Sequence, residues 1–197
     1  MFVQIIKGKT KDPAGLRRQV ERWEAEVRPG AAGFLGSTGG VTDDGTLIVF
    51  ARFADQAAAI ANSNRAEQGA WWEATAKYFA GTPTFRESSD VTTLFDGGSD
   101  DAGFLQLMEG TVKDRAAAEA FETPEMKAEL HAARPDLLGS TRAWFPDGTF
   151  AEVAYFTSEE AARKGESSAD FSGTQQEYMD LYSDMTFSDI REPLLVS

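Results

Sequence analysis

The sequence predicts an α+β protein in which one β-α-β-β-α-β unit occurs twice along the chain. Three observations predict it: an internal repeat across nearly the whole sequence, apolar spacings that alternate between strand and helix periods, and a glycine-rich connection between the copies. With 42% apolar residues and 14 phenylalanines, the chain can supply a folded core, so disorder is excluded.

The repeat is visible when the chain is aligned with itself. Residues 2–12 match residues 104–114 at five of eleven positions, and residues 35–58 match residues 138–161 at ten of 24 positions. Average composition would give about one or two chance identities in such a window. The predicted boundaries are 1–97 for the first repeat, 98–103 for a linker rich in Gly and Asp, and 104–197 for the second repeat.

The first copy opens on a predicted strand over residues 2–8. Asp12 is a suitable N-cap and Pro13 suits the first helical position, so a helix is predicted to begin there. Apolar residues then recur at spacings of four, three and four and form one helix face. These residues are Leu16, Val20, Trp23 and Val27.

The rest of the first copy is predicted to contain a hairpin, a helix and a last extended segment. Strands over 33–41 and 46–53 meet at the turn Asp43-Asp44-Gly45. An Ala-rich helix that starts at Asp55 is interrupted around 62–64, and residues 84–95 contain the last extended segment.

The second copy repeats this order. Its first helix is predicted to break at Thr123-Pro124, where a cap precedes a first-turn proline. Its hairpin turn is placed at 146–148, and its second helix begins at Ser158. Each copy is therefore a ferredoxin-like split βαβ unit, with both helices on one face of the sheet. Because the other face must also be buried, we expect the two sheets to pack as an intramolecular pseudo-dimeric α/β barrel.

These features resemble the dimeric α/β-barrel superfamily. The element order, the segment from Leu35 to Thr38, the Asp44-Gly45-Thr46 turn and Phe53 carry the resemblance, once in each half. That superfamily includes antibiotic-biosynthesis-monooxygenase-like and stress-responsive barrel proteins. The resemblance implies a small hydrophobic or aromatic ligand held between sheet and helices. Motifs of this kind specify a fold and not a reaction.

Two function classes follow from the resemblance. One is a cofactor-independent monooxygenase-like enzyme acting on a small aromatic or polyketide-like compound, for which the protein must supply an apolar cavity, a base and hydrogen-bond donors. The other is a non-catalytic ligand-binding or stress-response protein on the same fold. The pseudo-dimer within one chain leaves further homodimerisation open.

Composition excludes several partners and cofactors. A formal net charge of −13 disfavours nucleic acids and anionic membranes. The chain has no cysteine, which excludes thiolate metal sites and fits a cytoplasmic protein. His131 is the only histidine and does not match the axial-ligand pattern of haem-binding relatives, so we expect a surface or boundary residue there, no metal site and no cofactor.

Six residues are candidate ligand contacts. Trp72 and Phe79 line the second helix of copy one, where the alternatives are a core role and the wall of an aromatic pocket. Arg52 shares a strand face with Ile48 and Phe50, so it forms either an ion pair or a ligand contact, and Tyr155 is its counterpart in copy two.

Gln4 and Gln106 are identical strand residues with apolar neighbours. Each is expected either to pair with its counterpart at a sheet–sheet interface or to face a pocket. Copy one is richer in aromatics and nearly balanced in charge, so we expect its pocket to be the functional one.

Overall fold

A computed structural model describes residues 1–167 and 172–197, and these form two compact units. Unit 1 comprises Met1–Val91 together with Glu192–Ser197, and unit 2 comprises Thr92–Arg191. The two sequence copies and the two compact units are therefore built from different sets of residues, since the C-terminal segment belongs to unit 1.

Unit 1 is a five-stranded antiparallel sheet in the order β10-β2-β3-β1-β4, with helices against it. Its strands are β1 (Phe2–Lys9), β2 (Phe34–Val41), β3 (Thr46–Phe53), β4 (Thr84–Ser88) and β10 (Leu194–Val196). Its helices are α1 (Pro13–Glu26), α2 (Gln56–Ser63) and α3 (Ala66–Ala76), with a 3-10 turn at Arg28–Gly30.

The described part of unit 2 has the same architecture, with strand order β5-β7-β8-β6-β9. Its strands are β5 (Val91–Phe95), β6 (Phe104–Val112), β7 (Leu137–Trp144), β8 (Thr149–Phe156) and β9 (Tyr182–Ile190). Its helices are α4 (Arg115–Phe121), α5 (Pro124–Ala133), α6 (Glu159–Glu166) and α7 (Ser172–Met179). The two sheets confirm the predicted α+β fold class.

Each sheet is completed by a strand from the other sequence copy. The extended segment predicted over 84–95 is two strands, separated by residues 89–90. The hydroxyl of Ser88, at the end of β4, accepts a hydrogen bond from the Asp90 N–H at 3.0 Å. The first strand, β4, stays with β1, whereas β5 is the neighbour of β7. In the same way β10 leaves copy two and pairs with β2, with Leu194 opposite Gly39.

Local signals in the sequence set the helix boundaries as predicted. The Asp12 carboxylate accepts a hydrogen bond from the Gly15 N–H at 2.8 Å, and Pro13 is the first residue of α1. The break between α2 and α3 falls at Asn64, and Thr123 caps α5 directly before Pro124. These predicted interruptions are confirmed.

Strand register decides which side chains face the helices. In unit 1, Leu47 and Val49 of β3 pack with Leu16 of α1 and Trp72 of α3. Successive residues of a strand point to opposite faces, so Arg52 lies on the other face of β3. Gln4 is directly opposite Ala51, which packs with α2, and therefore shares the helix-facing side.

No helix in the described parts of the chain is long and apolar enough to cross a membrane.

We expect β10 to contribute strongly to the stability of unit 1. Val196 is 2% exposed and packs with Trp23, Val27 and Ala31. Val196→Ala removes buried methyl groups and should lower the free energy of unfolding by about 2 kcal/mol in urea denaturation. Leu35→Ala is the control, because Leu35 is 49% exposed and should change stability little. Equal effects of the two substitutions would show that β10 is not an integral strand.

Candidate functional site

Three aromatic side chains form a connected surface on the helix-facing side of unit 1. The Trp72 ring lies 6.1 Å from the Phe79 ring and 5.3 Å from the Phe85 ring, centroid to centroid. Phe79 is buried, at 4% exposure, and packs so closely on β1 that a side chain at Gly8 would stand 2.8 Å from its ring. Phe85 is 47% exposed, so the aromatic surface reaches solvent at β4.

The indole N–H groups of unit 1 differ in their hydrogen bonding. Trp23 donates to the side-chain oxygen of Gln68 at 2.7 Å, and Trp71 donates to the backbone oxygen of Gln19 at 2.7 Å. Within the part of the chain that the structure describes, the half-buried Trp72 makes ring contacts and apolar packing contacts but no hydrogen bond through its indole N–H. Its N–H is therefore the one indole donor of unit 1 that a bound molecule could use.

A polar pair lies next to this aromatic surface. The Gln4 side-chain amide donates to the Glu87 carboxylate at 2.7 Å, across the register pair of β1 and β4. Phe85 is two residues before Glu87 on β4 and so points to the same face. Among the described residues, Glu87 forms no ion pair with lysine or arginine. The site therefore combines apolar walls with one exposed carboxylate, that of Glu87, which accepts a hydrogen bond from the Gln4 amide.

The equivalent position in unit 2 is closed by an arginine. Gln106 donates to Asp189 at 3.3 Å, as Gln4 does to Glu87, but Arg163 of α6 also pairs with Asp189 and lies 3.0 Å from Glu166. These hydrogen bonds, Glu166 first, raise the pKa of Arg163. Its guanidinium carbon stands 5.3 Å above the Phe104 ring.

The repeat shows what unit 1 has in place of this arginine. α2 and α6 have equal lengths and equivalent caps, with Ala58 and Ala161 as the residues whose N–H groups are capped. In this register Ile60 occupies the position of Arg163. Ile60 is 53% exposed and carries no charge. The Glu87 carboxylate of unit 1 therefore stays open to solvent, whereas Arg163 neutralises the Asp189 carboxylate of unit 2.

Arg52 lies apart from this site. Its guanidinium donates to the Thr38 hydroxyl at 2.9 Å and reaches close to Gly36, on the sheet face opposite the helices. Tyr155, its counterpart in unit 2, is fully buried on the corresponding face. The group on β2 to which Arg52 donates a hydrogen bond is therefore the Thr38 hydroxyl.

The structure brings together three of the six predicted contacts. Gln4, Trp72 and Phe79 share the helix-facing side of unit 1, whereas Gln106 belongs to the equivalent side of unit 2. Both glutamines donate to a carboxylate on the neighbouring strand, and Gln106 also donates to Glu166 of α6 at 3.4 Å. The ligand-binding role of all six stays a prediction.

Unit 2 also contains a buried charged network that sequence reasoning missed. Arg142 on β7 is 7% exposed and donates to Glu152 on β8 at 2.6 Å and to Glu122 after α4 at 2.6 Å. Ser140 donates to the other oxygen of Glu152. Lys127 lies 3.9 Å from Glu122, so two cations balance two carboxylates.

Two tyrosines complete this network. Arg142 also donates to the Tyr178 hydroxyl, and the Tyr182 hydroxyl donates to that of Tyr178 at 3.0 Å. Burial, followed by the nearby Glu152 carboxylate, raises the pKa of Tyr178 well above its ordinary value, so the phenol is neutral at pH 7. Burial would lower the pKa of Arg142, but the carboxylates and phenols around it raise it well above its usual value.

The repeat carried a signal for this network. Arg142 and Glu152 are directly opposite on paired strands, and copy one has Gly39 and Val49 at the same positions. An arginine and a glutamate that appear together at facing positions indicate an ion pair. Because these groups bond to one another, the network anchors the α4–α5 joint and α7 to the sheet.

Metal-binding geometry is absent from the part of the chain that the structure describes. The described residues contain no group of three or more His, Asp or Glu side chains placed to hold a metal ion. His131 is exposed on α5, with its ring 4.9 Å from that of Phe95.

Known structures share this architecture over the whole chain. A candidate monooxygenase from Lactobacillus acidophilus NCFM superposes with a TM-score of 0.73 and 15% identity, covering 100% of this chain and 99% of that chain. A candidate monooxygenase from Fusobacterium nucleatum gives a TM-score of 0.79 and 11% identity, covering 100% and 94%.

This chain therefore has the fold of these two structures over its whole length. An anthrone oxidase-like protein also matches, with a TM-score of 0.65, 9% identity and coverage of 100% and 91%. The predicted resemblance and fold are confirmed. The sequence matches no protein-family model and no curated protein.

We expect the Arg142 network to be sensitive to loss of one partner. Glu152→Gln removes a buried carboxylate and leaves Arg142 undercompensated, so the free energy of unfolding should fall by about 3 kcal/mol. The double variant Arg142→Met, Glu152→Val makes the pair apolar and should recover most of this loss. Urea denaturation of the two variants measures both effects. A double variant as unstable as Glu152→Gln would contradict the ion-pair interpretation.

Proposed function

We propose that this protein binds a small aromatic molecule on the helix-facing side of unit 1, against Trp72, Phe79 and Phe85. The observation that carries the proposal is the Trp72 indole N–H, which has no partner in the described structure and stands beside a half-exposed phenylalanine. Small-molecule sites combine apolar and aromatic walls with a few polar groups that orient the ligand. Trp72 and the Gln4–Glu87 pair supply those polar groups here.

The exposure of apolar side chains in this region supports a binding role. Phe85 is one of the five large apolar residues that are exposed among the described residues, at 47%. Its counterpart in unit 2, Phe187, is exposed to a similar extent, at 50%. Phe85 contacts Trp72 directly, so the exposed apolar area continues into the half-buried ring. Grouped exposed apolar surface marks interaction sites more often than isolated residues do.

Trp72→Phe tests the site with naphthol as the probe. The variant keeps a ring but loses the N–H donor, so naphthol should bind up to about tenfold more weakly, the effect of one hydrogen bond. Naphthalene, which has no acceptor oxygen, should lose less. Isothermal titration calorimetry measures both.

The matched control for this substitution is Trp71→Phe. The Trp71 N–H is already bonded to Gln19, so the change should lower stability without altering naphthol affinity. If naphthol does not bind the protein, or binds both variants equally, the proposed site is wrong.

A second candidate function is cofactor-independent oxygenation at the same site. Glu87 favours it, because this carboxylate lies beside an apolar surface with no cation partner among the described residues. In an anthrone-type substrate, Glu87 would take a proton from the ring methylene, which lies across the central ring from the carbonyl and is conjugated with it through the flanking aromatic rings. The Trp72 N–H would then donate to the oxygen that carries the charge of the enolate.

The oxygenation balances with dioxygen alone. The enolate transfers electrons to O₂, and the methylene becomes a carbonyl. One oxygen atom enters the product and the other leaves as water. The resemblance to an anthrone oxidase-like protein suggests anthrone as the first substrate to test.

Oxygen uptake with anthrone separates an enzyme from a binder. An enzyme should consume one O₂ for each anthraquinone formed, faster than protein-free buffer, and Glu87→Gln should lower the rate about a hundredfold or more, the usual contribution of a general base. Glu24→Gln is the charge-matched control, because Glu24 is exposed on α1. If the protein binds naphthol but leaves anthrone oxidation at the buffer rate, it is a binder without this activity.

A further inference from the structure

In unit 2, the cationic side chain of Arg163 fills the position that is equivalent to the unit 1 site. The Arg163 guanidinium lies over the Phe104 ring and pairs with Asp189, which also accepts from Gln106. It also pairs with Glu166 at 3.0 Å and lies 3.6 Å from Glu159. Unit 2 thus shows a cationic nitrogen group held between an aromatic ring and a carboxylate on this framework.

Unit 1 retains the groups that hold this cation but not the cation itself. Phe2, Gln4 and Glu87 occupy the positions of Phe104, Gln106 and Asp189. Ile60 replaces Arg163, while Gln56 and Ser63 replace Glu159 and Glu166. One carboxylate therefore remains, with an aromatic surface next to it.

We propose that the ligand of unit 1 is an aromatic compound with a protonated amine or guanidine group, whose cation pairs with Glu87 while its ring packs on Trp72 and Phe85. This inference names the ligand class of the proposed binding site and rests on that proposal. It makes Glu87 an anchor for a cation, which is an alternative to its role as a base.

The chemistry of the site selects for such a ligand. A cation beside tryptophan gains more from the ring face than beside phenylalanine or tyrosine, and Trp72 is only 5.3 Å from Phe85. The charge of Glu87 repels aromatic carboxylates. An amine avoids this repulsion and gains the ion pair.

Matched probes test the inference on the full chain. Naphthylethylamine should bind at least about tenfold more tightly than naphthylacetate at pH 7 and low ionic strength, given the combined ion pair and cation–π contact. Added salt should reduce the difference, because the ion pair is exposed. Glu87→Gln should remove the preference, whereas Glu24→Gln should keep it.

Ile60→Arg provides a second, independent variant. It introduces on α2 the guanidinium that α6 has in unit 2, where it can pair with Glu87 and displace the amine. Amine affinity should fall to that of naphthylacetate, with the fold retained because position 60 is exposed. Ile60→Gln is the uncharged control.

The outcomes separate this inference from the binding proposal. If naphthol binds in a Trp72-dependent way but the amine shows no preference over the carboxylate, the cationic ligand class is wrong and the site stands. The same holds if Glu87→Gln leaves the preference unchanged. If naphthol does not bind, the binding proposal is wrong, and the inference that rests on it is wrong as well.

Discussion

The antiparallel pairing of β1 with β3 and β4 is the constraint on which the rest of unit 1 depends. A strand alternates its side chains between two faces, so the register that sets Gln4 opposite Ala51 and Glu87 also brings Ile6 and Phe85 to the helices. A shift of one residue would move the whole set to the other face. The aromatic surface and the carboxylate meet because of this register, although they lie far apart in sequence.

The duplication gives two versions of one framework and shows which polar groups the fold does not require. In unit 2 the carboxylate on β9 is closed by Arg163, whereas in unit 1 the corresponding helix presents Ile60. In the β7–β8 hairpin, unit 2 has a buried Arg142–Glu152 pair where unit 1 has Gly39 and Val49. Both versions form a five-stranded sheet, so the sheet itself forms with or without these polar groups.

The Arg142 network of unit 2 and the Glu87 carboxylate of unit 1 differ in how far they are buried. The Arg142 network is nearly excluded from water, and taking charges out of water is so costly that each must be paired and hydrogen-bonded. Its members satisfy one another, which suits a network that holds helices to a sheet. Glu87 is exposed and held only by Gln4 among the described residues, so it retains the capacity to bind a further group. Unit 1, where the Glu87 carboxylate is exposed, is therefore the better candidate for ligand binding.

The sequence by itself determined the repeat, the order of elements, the helix caps and the two helix interruptions, because each depends on residues within a few positions of one another or on direct alignment of the copies. It also grouped Trp72 and Phe79 on the second helix of copy one, although α3 ends at Ala76, before Phe79. Only the tertiary structure decided that β5 and β10 complete the sheet of the other copy, that Arg52 lies on the face opposite the helices, and that Glu87 is the partner of Gln4. These depend on strand pairings between residues distant in sequence, and periodicity alone shows which residues share a face but not which strand lies next to them.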